Sequence, residues 1–231
     1  MISYFKKYDI HRICLKPKLF YIAMLNQITI IMKNIFLITV LLVTTSLVAQ
    51  KSKVTKGDWM DLKGITEYTL EFDYSDLEIP KYDSEEAFLE DKMAKREEKE
   101  PGTGEAFKES WFSDREEYYE PRFIETFNDR YKNGAVKVDR DLGSAEYTMR
   151  IHTTFIYPGY NVGVVRKNSK IEVTIDVFKN DSPDDIIFSV DYTKVEGAGN
   201  GGYDFNSGQR IADAYIILAR KVVKDMYKNT K

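Results

Sequence analysis

Apolar and polar residues alternate along several stretches of the chain. In Glu67–Tyr74, Tyr68, Leu70, Phe72 and Tyr74 fall on one side and Glu67, Thr69, Glu71 and Asp73 on the other. A period of two is that of a half-buried strand. The same period runs through Ala145–Tyr157. It predicts Tyr147, Met149, Ile151, Thr153, Phe155 and Tyr157 inward, and Glu146, Thr148, Arg150, His152, Thr154 and Ile156 outward. Lys170–Phe178 turns Ile171, Val173, Ile175 and Val177 one way, and Ile186–Val195 does so with Ile186, Phe188, Val190 and Tyr192. Val136–Asp139 reads as a short edge strand. Near the C-terminus the period changes to that of a helix, Gly208–Tyr227. Ile211, Tyr215, Leu218, Val222 and Met226 form one stripe, widened by Ala214 and Ile217. Arg210, Asp213, Arg220, Lys221, Lys224 and Asp225 are expected on the opposite, solvated face, and Asn206 with Gln209 suits the start.

The middle of the chain predicts helices. Asp83, with Glu86 three residues later, caps a helix to about Glu100 that has only Ala87, Leu89 and Met93 as its apolar stripe. Pro101–Gly104 breaks it. A second piece follows at Glu105–Glu120, and Pro121 opens a third at Arg122–Tyr131, stopped by Asn133-Gly134. Pro158-Gly159 suits a type II turn. Asn180–Asp184 is a connecting turn, and Lys51–Gly57 a flexible polar start. Successive strands with short turns imply antiparallel pairing. Segregated strands and helices imply an α+β two-layer sandwich, with a mainly antiparallel sheet of four to five strands covered by the long C-terminal helix and the middle helices.

The first fifty residues alter this picture. Lys33-Asn34 followed by the largely apolar 15-residue stretch Ile35–Ala49 has the layout of a secretory signal peptide. The run is short against the ~20 residues of a spanning helix. Cleavage after Ala49 would leave Gln50 or Lys51 first. Met32 is a natural start for residues 32–50 as the signal, with 1–31 a doubtful lead. The competing reading joins residues 19–49 into an uncleaved inner-membrane anchor. Residues 51–231 then form a single α+β domain, periplasmic or extracellular, with an acidic helical insertion at about 83–120. This domain has 28 basic and 36 acidic residues, a net charge of −8. That balance excludes nucleic acid as the expected partner and leaves the membrane only to the N-terminal apolar segment, if that segment is uncleaved. The single cysteine, Cys14, lies in the lead, so no disulfide framework exists in the domain.

Candidate chemistry is sparse. His152 is the only histidine beyond the lead, and zinc or triad chemistry needs more nitrogen, sulfur or base partners than one imidazole. It reads as a surface histidine. The carboxylate pairs Glu85/Glu86, Glu97/Glu98, Glu116/Glu117 and Asp184/Asp185 sit in charge runs, which usually form solvated faces. Asp181, Asp184 and Asp185 lack the spacing of a calcium loop. Gly197–Gly202 precedes a helix but carries no phosphate-loop signature. Trp111, Phe112, Tyr118, Tyr119, Phe123 and Phe127 form an aromatic cluster, read first as packing the middle helices onto the sheet and second as a binding surface. No catalytic, cofactor-binding or metal-ligating residue is assigned, and no cofactor is expected.

Tyr157–Val164 (YPGYNVGV) and Arg210–Tyr215 (RIADAY), with a signal ending Leu47-Val48-Ala49-Gln50, resemble an uncharacterised family of exported Bacteroidota proteins. More loosely, the order of elements resembles small envelope domains that accompany transport or cell-wall machinery. The resemblance implies export and no particular activity. The leading expectation is a non-catalytic envelope protein that binds another envelope protein or supports an assembly. The alternatives are a small-ligand carrier, with its pocket between sheet and aromatic helices, and a carboxylate-dependent hydrolase.

Overall fold

The computed structural model describes residues 32–33, 52–131, 134–198 and 206–231. The signal and anchor readings fall almost wholly outside these residues. Among them, no helix is long and apolar enough to cross a membrane. Gln50–Lys231 is a compact unit of its own. Its buried core cluster lies entirely between Leu62 and Met226, so this part of the chain carries its own core.

Six strands make one open sheet: β1 (Ser52–Lys56), β2 (Glu67–Asp73), β3 (Lys137–Asp139), β4 (Tyr147–Tyr157), β7 (Lys170–Lys179) and β8 (Ile186–Glu196). Their order is β1-β8-β7-β4-β2-β3, and a separate two-stranded hairpin pairs β5 (Tyr160–Asn161) with β6 (Arg166–Lys167). The α+β class stands, with one strand more than expected. The extra one is β1, in the stretch read as a flexible start. It pairs antiparallel with β8. An edge strand gains its backbone bonds from one neighbour and needs no apolar alternation, and its lysines keep other edges away. The pairing is also mixed: β2 runs parallel to both β3 and β4. The helices between β2 and β3 carry the chain back across the sheet, so the next strand enters in the same direction.

Strand β4 departs from the expected alternation. A bulge shifts the register between Thr153 and Phe155. One extra residue reverses every side chain beyond it. Ile156 therefore enters the core, and Phe155 and Tyr157, predicted inward, are only half-buried. Here Glu78 lies beside β4, with Glu78 N–H donating to the Thr154 carbonyl at 2.9 Å and Ile156 N–H to the Glu78 carbonyl at 3.0 Å.

The helices cover one face. Helix α1 (Glu85–Glu97) is capped by Ser84 rather than Asp83; its hydroxyl accepts from Ala87 N–H at 3.2 Å. Helix α2 (Thr103–Asp114) continues through a π-helical turn, Arg115–Tyr119, into α3 (Glu120–Arg130). Pro121 thus opens no new helix. It lacks an N–H and would crowd the carbonyl four residues back. The widened turn just before it, where Glu120 N–H donates to the Arg115 carbonyl, relieves that conflict. Helix α4 (Ser207–Asn229) starts at Asn206, whose side chain accepts from Gly208 N–H at 2.7 Å. Its predicted stripe is buried. Arg210, placed by periodicity on the solvated face, is buried as well, donating from Nε to the Pro158 carbonyl at 3.1 Å.

Candidate functional site

The bulge builds the most developed surface of the domain. Phe155 and Tyr157, turned out of the core, line clefts at the end of the sheet beside the β5–β6 hairpin. One cleft, of about 390 Å³, lies between the Ile79–Tyr82 loop, α1, Phe107 of α2, the base of the hairpin and the first turn of α4. Its cations are Lys81, Lys92, Arg96 and Arg210, its rings Tyr82, Phe88, Phe107, Tyr157 and Tyr160, and among the described residues no carboxylate lines it.

Local structure explains each placement. Arg96 and Lys92 are one turn apart on α1, so both point to the same side. The Arg96 guanidinium stacks on Phe107, 3.8 Å from the ring centre. Half-buried, it is pushed below its ordinary pKa by desolvation. Lys92 Nζ lies 5.3 Å from the Tyr82 ring and donates to its hydroxyl at 3.0 Å. Asp91 balances Lys92 at 3.5 Å. Arg210 is held against the Pro158 carbonyl, and Gly159, at φ +67, supplies the turn that brings that carbonyl inward. A Cβ at Gly159 would meet the Lys167 carbonyl oxygen at 2.4 Å. Lys81 and Arg96 have no carboxylate partner among the described residues.

The sites singled out in the sequence are not brought together. His152 Nε2 donates to the Ser75 carbonyl at 2.9 Å, with Asp73 at 3.9 Å, and pins the end of β2. Asp73 feels an upward push from burial, but the Ser75 N–H and hydroxyl and nearby His152 and Arg150 hold its carboxyl below the usual value. Glu85 accepts from Trp111 Nε1 at 2.6 Å and pairs closely with Arg115. Glu97 accepts from Gly102 N–H at 2.9 Å and so covers the start of α2. Glu116 and Glu117 lie in the π-helical turn. Asp185, in the β7–β8 turn, faces Lys56 at the end of β1 at 3.8 Å. Among the described residues no group of three or more His, Cys, Asp or Glu gathers as metal ligands, the Asp181–Asp185 turn included. Of the glycine-rich loop only Gly197 and Ala198 are described. Trp111, Tyr119, Phe123 and Phe127 are core residues, and none of the six clustered aromatics lines the clefts of about 790, 490, 470 and 390 Å³.

Two carboxylates read as part of a solvated run are buried. Asp114 is 3 % exposed, wedged at Gly208, where a Cβ would lie 2.1 Å from Oδ2. Desolvation, helped by Glu117, raises its pKa to about 6, with the Ser110 hydroxyl acting the other way. Glu120, paired with Arg140 at 2.7 Å, is also raised, chiefly by burial. Only the close approach of α2 and α4 at Gly208 marks Asp114, and that is not a sequence pattern. A carboxyl whose folded pKa exceeds its unfolded value stabilises the fold below the unfolded value. That contribution disappears as pH rises through the folded value. Stability should therefore fall between about pH 4 and 7, and Asp114→Asn should flatten that slope, gaining on the order of 2 kcal/mol at pH 7.5. Urea titrations at several pH values would reveal it; an unchanged slope would place Asp114 in solvent.

No family model matches the chain, and no curated protein does. Among solved structures it is similar to the PelC dodecamer from Paraburkholderia phytofirmans, with 13% identity and a TM-score of 0.37 over 76% of this chain and 97% of that one. A leucine-to-methionine variant of the same protein gives 14% identity and a TM-score of 0.37 over 75% of this chain and 97% of that one. A likeness so slight says nothing of function.

Proposed function

We propose that this is an exported cell-envelope protein with a binding rather than a catalytic role. Its apolar N-terminal segment acts as a cleaved signal, and the mature domain works in the periplasm or outside the cell. Its ligand is a small molecule with an anionic group and a flat apolar face, taken at the Arg96–Tyr160 cleft. One observation carries the reading: the half-buried Arg96, stacked on Phe107, faces a cleft that no described carboxylate lines, in a domain of net charge −8. A desolvated cation gains most from an anion that arrives with its own hydrogen-bond acceptors. About 390 Å³ suits a small ligand, and the aromatic walls suit a ring. The carrier reading thus moves from the space under the aromatic helices to the end of the sheet. Docking onto another envelope protein, the leading expectation from the sequence, becomes the second reading.

Calorimetry with p-nitrophenyl β-glucuronide and its neutral glucoside tests this on the mature domain. The glucuronide should bind at least tenfold more tightly, and Arg96→Gln should remove that preference while lowering the melting temperature by no more than about 4 °C, the loss of roughly 1 kcal/mol from its contact with Phe107. Equal binding of both probes, or of neither, would overturn the ligand class. Mass spectrometry of the native protein should find an N-terminus at Gln50 or Lys51; a terminus before Met32 would overturn export by cleavage.

A further inference from the structure

We propose that the β5–β6 hairpin is a membrane-docking wedge for a bilayer of anionic phospholipid, with the lipid phosphate seated in the cleft beside it. This rests on the Val162–Val165 tip and the Arg166–Lys170 collar, sharing only Tyr157 and Tyr160 with the Arg96 cleft. The hairpin stands outside the six-stranded sheet. Its tip exposes Val162 by 66%, Val164 by 96% and Val165 by 50%, with Tyr160 partly exposed behind them. Single exposed apolar residues need no explanation, but three valines within four positions of one turn form a patch. The turn is closed on itself. Val162 N–H donates to the Val165 carbonyl at 3.0 Å, Gly163 takes φ +83, and its N–H donates to the Asn161 side chain at 3.0 Å. Its backbone is thus partly satisfied before it meets an apolar medium.

Charge selects the occupant. From Tyr147 to Ile171 there is no Asp or Glu, although the chain has 37 acidic residues. Behind the tip, a cleft of about 490 Å³ is lined by Arg166, Lys167 and Lys170 together with Phe155 and Tyr157. Among the described residues that line it the one carboxylate is Glu196, engaged by Lys170 at 3.3 Å and by the Asn168 amide at 3.2 Å, which leaves Lys167 facing outward. An apolar tip above a basic collar matches an acyl boundary below a layer of phosphates. A second copy of the chain fits less well. A two-fold contact would set the two collars face to face, and four tip residues fall far short of the roughly 800 Å² per partner of a stable interface.

The test is cosedimentation of residues 51–231, free of the apolar N-terminal segment, with phosphatidylcholine vesicles and with equimolar phosphatidylcholine–phosphatidylglycerol vesicles at 0.1 M salt. Binding should be at least tenfold stronger on the anionic vesicles, should weaken at 0.5 M salt, and should not be displaced by glycerol phosphate. V162D/V164D should abolish it and K167E reduce it severalfold, both with wild-type melting, because these side chains are exposed. Equal binding to both vesicles, wild-type binding by V162D/V164D, displacement by glycerol phosphate, or a dimer in light scattering that V162D/V164D dissolves would each overturn the proposal.

Discussion

Leu218→Asp leaves the domain unfolded at 25 °C. Leu218 is fully buried, 0% exposed, in the middle of α4, the helix that covers the inward face of β7 and β8. Its neighbours on the stripe, Ala214, Tyr215 and Val222, are buried with it. Removing a buried leucine side chain costs roughly 2–5 kcal/mol. An unpaired carboxyl in its place adds desolvation of several kcal/mol even if it takes up a proton. The sum is comparable with the ~5–15 kcal/mol total stability of a domain. Circular dichroism should find no cooperative melt. Lys224→Asp, one turn and a half further on the exposed side, should stay within about 0.5 kcal/mol of wild type. A Leu218→Asp protein that melts like wild type would mean that α4 does not build the core.

Trp111→Ala should cost about 3–5 kcal/mol in urea denaturation. Trp111 is the joint between α1 and α2. Its ring centre lies 4.8 Å from that of Phe88, and its indole N–H donates to Glu85 at 2.6 Å. Glu85 in turn holds Arg115, in the π-helical turn. Trp111→Phe keeps most of the apolar contact and drops only the hydrogen bond to a charged acceptor, so it should recover all but about 1.5–3 kcal/mol. Because Phe88, Lys92 and Arg96 of α1 wall the cleft, Trp111→Ala should also weaken glucuronide binding while Trp111→Phe should not. A loss below about 1 kcal/mol for Trp111→Ala would show α1 to be anchored elsewhere.

Pattern alone found the strands β2, β4, β7 and β8 and the closing helix, because each buries one face against one neighbour. It failed where the partner decides. Ile156 and Phe155 exchange faces because Glu78 bonds on either side of the bulge. Lys194, at φ +53, belongs to a similar irregularity in β8 that brings Val195 into the core. The candidate site depends on that failure. Phe155 and Tyr157 looked like core residues, Arg96 lay outside the Ala87–Met93 stripe of its helix, and Arg210 looked like the outer face of a helix. Nothing local distinguishes a cation on a surface helix from one closed in by a ring of another element, as Phe107 of α2 closes in Arg96.

Two features of this protein follow from its residues in order. They are the α+β class, set by segregated periods of two and 3.6, and the acidic, disulfide-free character of the domain beyond residue 50, set by composition. Both rest on interactions between near neighbours or on counts, which the chain carries with it when unfolded. The tertiary structure decided the rest: the parallel placement of β2, the burial of Asp114 and Arg210, the continuous helix across Pro121, and the clefts around Phe155 and Tyr157. Each depends on which distant backbone group is available to pair with, and that is defined only once the sheet and helices have closed on one another.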